Sequence, residues 1–197
     1  ETALSFPLAQ TLYHRGYQDA SLVRSFLTSA DPSLVAHASL LKGSLIAAER
    51  IIRALKEQEK ILIFGDYDVD GVTSSAVMLA SLIPLGAQIN YFLPHRERDG
   101  YGLSCNAVER AHKSGYKLIV TVDNGIAAYE PAELARKLGI DLIITDHHRP
   151  QGEPPVALCV VNPAQEDCGY PFKKFAGVGV IFKLITLIYE QLGIPEL

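Results

Sequence analysis

Five short apolar runs constrain this chain more than any other feature: Ile61 to Phe64, Ile89 to Leu93, Leu118 to Val122, Leu142 to Thr145 and Leu158 to Val161. Each is too short for a helix and rich in Ile, Leu and Val. Such runs read as strands buried on both faces, as in a parallel sheet. Stretches with helical character at 72–83, 104–114, 129–138 and 177–192 lie between or after them. Parallel neighbours need crossovers of that length, so the alternation predicts an α/β fold with about five parallel strands flanked by helices. Ahead of the first strand, Leu45, Ala48, Ile52 and Leu55 recur at helical spacing and predict a helix over Ser44–Gln58. Residues 1–43 are broken by Pro7, Gly16, Pro32 and Gly43 and read as a flap of short helices. The expected division is therefore 1–43 and 44–197.

Composition removes several alternatives. The 197 residues are 48% hydrophobic and 20% charged, too apolar for a disordered chain. No apolar run reaches the roughly 18 residues of a membrane span. Cys105, Cys159 and Cys168 form no CxxC pair, so buried free thiols in a reducing, cytoplasmic setting are expected rather than a disulfide framework or a structural zinc site. A net charge of −4 argues against broad nonspecific nucleic-acid binding by this segment alone. There is no GxxxxGK[ST] loop and no GxSxG elbow. Gly177-Val178-Gly179 starts like a dinucleotide fingerprint but lacks its third glycine, and reads as a helix start packed closely against the sheet.

The chemistry-bearing residues gather where the predicted strands end. Gly65-Asp66-Tyr67-Asp68-Val69-Asp70-Gly71 follows the first, and Pro94-His95-Arg96 the second. Asp123-Asn124-Gly125 follows the third and Asp146-His147-His148 the fourth. In open α/β sheets, ligands bind beyond the carboxyl ends of the strands, so these clusters converge on one site. In an extended segment the carboxylates of Asp68 and Asp70 would lie on the same side. Like charges held together require a cation. Carboxylates joined by imidazole suit Mn²⁺ or Mg²⁺, with Fe or Zn also admitted by histidine. Two such ions polarise a phosphoryl oxygen, activate water and steady a leaving oxygen, which points to metal-assisted phosphoester hydrolysis. Asp66 is open between ligand, partner to a histidine and turn former. His148 is open between ligand, phosphate contact and general acid. Arg96 is placed to hold a phosphate bidentately.

The succession Asp-x-Asp-x-Asp-Gly, Val-Asp-Asn-Gly and Asp-His-His resembles the DHH phosphoesterase superfamily. Phe64–Gly71, Arg96-x-x-Asp-Gly-Tyr-Gly-Leu103 and Thr121–Ile126 are similar to its RecJ branch, over about residues 44–190. That resemblance implies a hydrolase that degrades single-stranded DNA from the 5′ end with Mn²⁺ or Mg²⁺, two ions in the intact protein, in repair and recombination. It also implies repair or single-strand-binding proteins as partners, and no membrane. Carried over, Asp68, Asp70, Asp123 and His147 match the metal ligands, and Asp66 and His148 line the same site. Arg96 and His148 are the phosphate contacts, and Asp146 supports the ligands. The family's fourth motif, with a further Asp, and its second domain do not occur within these residues. The expectation is thus a portion of a longer catalytic core, weak or inactive by itself. Two alternatives stand beside it: a phosphodiesterase for short oligonucleotides, cyclic dinucleotides or polyphosphate, and a non-catalytic replication or repair subunit.

Overall fold

A computed structural model describes residues 4–28, 35–95 and 100–195. The chain divides into two compact units, Glu1–His37 and Ala38–Leu197. In the first, α1 (Phe6–His14) and α2 (Ala20–Leu27) are short helices. Asp19 caps α2 by accepting from the Ser21 amide at 2.7 Å, as an N-cap aspartate does.

The second unit carries the sheet. Its elements run α3 (Ser44–Glu57), β1 (Lys60–Phe64), α4 (Val69–Leu82), β2 (Gln88–Phe92), α5 (Cys105–Lys113) and β3 (Leu118–Val122). They continue with α6 (Tyr129–Lys137), β4 (Asp141–Thr145), β5 (Cys159–Val161) and α7 (Gly177–Leu192). All strands pair in parallel, in the order β2-β1-β3-β4-β5. The α/β class and all five expected strands are present. Alternate residues of each strand feed opposite layers. Leu62, Phe64, Ile119, Leu142 and Ile144 join Val108, Ala111, Ala132 and Ala135 beneath α5 and α6. The intervening Ile61, Ile63, Leu118, Val120 and Ile143 are fully buried on the other side, where α3, α4 and α7 pack together. Tyr189 of α7 donates its hydroxyl to the Ser81 carbonyl of α4 at 2.8 Å.

Three expectations change. β2 is an edge strand, with Gln88, Asn90 and Tyr91 exposed, because only β1 pairs with it. Helix α4 begins at Val69 rather than 72, because the Asp68 side chain accepts from the Gly71 amide at 2.9 Å and caps it. Of the cysteines, Cys159 and Cys168 are buried, whereas Cys105 is half-buried.

The strand order reverses between β1 and β3, whose connections leave in opposite directions. A crevice opens at such a switch point, beyond the carboxyl ends.

Candidate metal centre

Four strand-end segments meet at that crevice. The loop after β1 supplies Asp66 and Asp68, and the first turn of α4 supplies Asp70. The turn after β3 supplies Asp123, and the turn after β4 supplies Asp146, His147 and His148.

The expected extended geometry for Asp68 and Asp70 is replaced by a helical one. Asp68 is the N-cap of α4 and Asp70 sits in its first turn, so the two carboxylates take different partners. Donor atoms of Asp66 and Asp68 come together with one from Asp123, all within 4.8 Å of one another. Asp70 turns toward α7, where its Oδ2 accepts from Gly177 at 2.7 Å and its Oδ1 from Val178 at 2.9 Å. Helix α4 comes this close to the preceding loop because residue 71 is glycine: a Cβ there would lie 2.5 Å from the Asp66 nitrogen.

Asp123 is the centre of the arrangement. It is 1% exposed and held at φ 63°, a left-handed conformation that aspartate tolerates better than most residues. Neither of its carboxylate oxygens receives a hydrogen bond. Burial first, then the charges of Asp70 and Asp68, push its carboxyl up to about 8. The acid is desolvated and receives no hydrogen bond.

His147 faces it. The Nδ1 of His147 lies 2.7 Å from the Phe175 carbonyl, which can only accept, so Nδ1 carries the proton. In the neutral ring, Nε2 then presents its lone pair 3.0 Å from Asp123 Oδ1 and 3.6 Å from Asp70 Oδ2. Acceptors crowded face to face repel unless a proton or a metal cation lies between them. Adjacent ligands of an octahedral ion bound at about 2.1 Å are separated by about 3.0 Å. The donor set therefore fits a divalent ion of the Mg²⁺ or Mn²⁺ type, a hard mix of carboxylate and imidazole with no thiolate.

A second group of donors, on Asp123, His147 and His148, also lies within 4.8 Å. Asp123 is common to both groups. His148 is anchored by Asp146, whose Oδ1 takes its Nδ1–H at 2.7 Å. Burial works against the His148 cation, but that bond and the charges of Asp146, Asp123 and Asp66 hold the ring above its ordinary range. Asp146 also accepts from the amides of His147, His148 and, in the turn after β3, Ile126. It is the brace that joins the turns after β3 and β4. Asp66 is 2% exposed and accepts from the Tyr67 amide. Burial raises its carboxyl, with Asp68 and Asp146 adding to the effect.

Arg96, the expected phosphate contact, lies outside the described residues. Tyr101, from the same motif, does not: it is 60% exposed, and burial of its hydroxyl with the charges of Asp146, Asp66, Asp123 and Asp68 pushes that hydroxyl well above its usual range. Nothing in the motif itself gives Tyr101 a place at the site. The sequence pattern also passes over Asn124, whose Nδ2 donates to the Phe64 carbonyl at 3.1 Å and the Val122 carbonyl at 3.0 Å, clipping the ends of β1 and β3 together. Asn162 Nδ2 similarly holds the His148 carbonyl at 2.8 Å. A polar side chain directly after a ligand acid was the one available signal for Asn124; nothing local marked Asn162.

The N-terminal domain of the DHH family matches residues 60–196. The chain belongs to the DHH family. It is 45% identical, over 94% of its length, to the single-stranded-DNA-specific exonuclease RecJ of Bacillus subtilis (strain 168), of which it covers 23%. The crystal structure of an exonuclease RecJ bound to manganese superposes with a TM-score of 0.73 at 38% identity, covering 79% of this chain and 39% of that one. RecJ from Thermus thermophilus in complex with Mg²⁺ gives a TM-score of 0.56 at 29% identity, covering 93% of this chain and 21% of that one. The chain spans about a quarter of the length of the curated relatives it matches. Among the described residues, no helix is long and apolar enough to cross a membrane.

Proposed function

We propose that this DHH domain holds the divalent-metal centre of a cytoplasmic exonuclease that hydrolyses single-stranded DNA from the 5′ end, in repair and recombination. The observation that carries the reading is Asp123: a buried carboxylate without a hydrogen bond, shared by two donor groups at the switch point of a parallel sheet. Its similarity to RecJ exonucleases, two of them seen with Mn²⁺ or Mg²⁺, supports the substrate class and the metals.

Asp66, Asp68, Asp70, Asp123 and His147 are assigned as the residues that hold Mn²⁺ or Mg²⁺. Two ions in the intact protein belong to the same reading, and Asp123, common to both donor groups, would help to hold them. Bound there, divalent ions polarise the phosphodiester, activate water and steady the leaving oxygen. The chain's own contribution is placement. His147 is locked through Nδ1, so Nε2 is committed to the centre. His148 is locked through Nδ1 by Asp146, leaving Nε2 to donate to a phosphate oxygen. Arg96 is assigned to the substrate phosphate, where a guanidinium can take two oxygens at once. The division of the catalytic core into a helical flap over 1–43 and a DHH domain from residue 44, and association with repair or single-strand-binding proteins, belong to the same reading.

The test uses the intact protein containing this chain, with Mn²⁺ and a panel of substrates. Stepwise release of mononucleotides from the 5′ end of single-stranded DNA, with duplex DNA spared, is expected. Equal or faster turnover of dinucleotides, cyclic dinucleotides or polyphosphate would overturn the exonuclease assignment.

A further inference from the structure

The turn that opens α7 touches three of the assigned ligands, although it lies outside every acidic or histidine motif. The Phe175 carbonyl takes the Nδ1 proton of His147 at 2.7 Å. Two residues on, the amides of Gly177 and Val178 donate to the two oxygens of Asp70 at 2.7 and 2.9 Å. Between these contacts, the Gly177 Cα lies against Asp123: a Cβ there would meet Asp123 Oδ1 at 2.6 Å and its Cβ at 2.8 Å.

We infer that residues 175–178 form a clasp that sets the spacing and tautomer of the metal ligands, with Gly177 and Val178 as positioning residues. The inference rests on the metal-centre reading above and extends it to a segment with no ligand of its own. Asp70 cannot hold this position through α4 alone, because a first-turn carboxylate is free to swing toward solvent. Two amides at the start of a 16-residue helix fix both of its oxygens and favour its charge. Each carboxylate oxygen has a second lone pair, so Asp70 Oδ2 remains able to bind an ion while accepting from Gly177. His147 is tied through its other nitrogen, the arrangement by which proteins orient a histidine ligand. The clasp also has internal stiffness. The Phe175 ring packs against Tyr170 and Phe172, with centroids 5.3 and 5.1 Å away. A Cβ on Gly179 would strike that ring at 2.8 Å, so the second glycine of Gly177-Val178-Gly179 keeps Phe175 in place. Three ligands from three different loops thus take their relative positions from one short segment.

Two variants of the intact protein containing this chain probe the clasp by Mn²⁺ titration calorimetry. Gly177→Ala places a methyl against Asp123. Val178→Pro removes one of the amides on Asp70 in the first turn of α7, where proline is tolerated. Each is expected to weaken Mn²⁺ binding at least about tenfold, the usual lower bound for losing a group that orients a metal ligand. Phe182→Ala, one turn further along the same helix and largely exposed, should bind within about twofold of wild type, since it orients no ligand. Folded Gly177→Ala and Val178→Pro proteins with wild-type affinity would overturn the clasp. If both variants fail to fold, the metal-free wild-type protein decides by nitrogen-15 NMR and amide exchange. A protonated His147 Nδ1 with slowly exchanging Gly177 and Val178 amides supports the clasp, and an Nε2–H tautomer or freely exchanging amides refutes it. Absence of Mn²⁺ binding by the wild type would instead count against the metal-centre reading, while the NMR arm still judges the clasp.

Discussion

The two ends of the sheet treat their acids in opposite ways. At the amino edge, Arg50 is buried between Glu59, just before β1, and Asp141, the first residue of β4, with ion-pair distances of 2.6 and 2.5 Å. Arg53 adds a second contact to Asp141 at 3.2 Å. The cation there is built into α3. At the carboxyl edge, Asp66, Asp68, Asp70 and Asp123 converge, and among the described residues no lysine or arginine pairs with any of them. At one end the acids are paired with a cation of the chain itself. The other holds a cluster of acids that no described lysine or arginine pairs with, which suits a centre for divalent ions. Where the cation comes from, inside or outside the chain, separates an acid cluster that holds the fold from one that does chemistry.

The contrast is broken most strongly at Asp123. Asp123→Asn in the intact protein should lower DNA hydrolysis at least about a thousandfold, since metal stabilisation of the transition state amounts to several kcal/mol. In the metal-free chain above about pH 8, where the carboxyl is ionised, the same change should raise the melting temperature, because it removes a buried charge. A variant that loses stability and keeps its Mn²⁺ affinity would place Asp123 on the structural side instead.

Next in size is a pH effect of opposite sign to the usual acidic one. The Asp123 carboxyl rises from an ordinary 3.8 to about 8 on folding. The folded state therefore binds more protons than the unfolded chain between these values. The stability this group contributes is complete below about pH 4 and lost as pH climbs toward 8, by at most about 1.4 kcal/mol per pH unit for one proton. Thermal melts of the metal-free chain from pH 5 to 8 should fall accordingly. Saturating Mn²⁺ should abolish the fall, as should Asp123→Asn; a slope unchanged by either would assign it to other groups.

At the amino edge the expected change is smaller and purely structural. Arg50→Ala strands Glu59 and leaves Asp141 with Arg53 alone, and should cost about 3 kcal/mol in urea unfolding, the low end for breaking a buried pair because Asp141 is partly exposed and keeps a partner. Its Mn²⁺ affinity should match wild type. A change in metal affinity there would mean that the two ends communicate through the sheet.

Much of this contrast was legible in the chain before folding. Leu118 to Val122 and Leu142 to Thr145 read as buried strands because each run is apolar throughout, and the acids after them declared themselves by position. The less apolar Ile89–Leu93 run betrayed its edge location only weakly, through Asn90 and Tyr91. Asp68 and Asp70 were found, but their geometry was not: a capping bond to Gly71 turned an assumed extended pair into a helix start. Arg50, Asn124 and Asn162 were missed because their partners lie at separations that no local pattern reveals, 91 residues in the case of Arg50 and Asp141.

The sequence by itself determined the α/β class, the strand positions and which acids and histidines stand at strand ends, because periodicity and strand-end position are local properties. Tertiary structure alone decided that Asp123 is the acid shared by both donor groups, that Asp70 and His147 are held by the turn at the start of α7, and that a Cβ on Gly177 would press on Asp123. Those facts depend on distances of about 3 Å between segments up to 108 residues apart, and contacts at that separation arise only when the sheet brings its strand ends together.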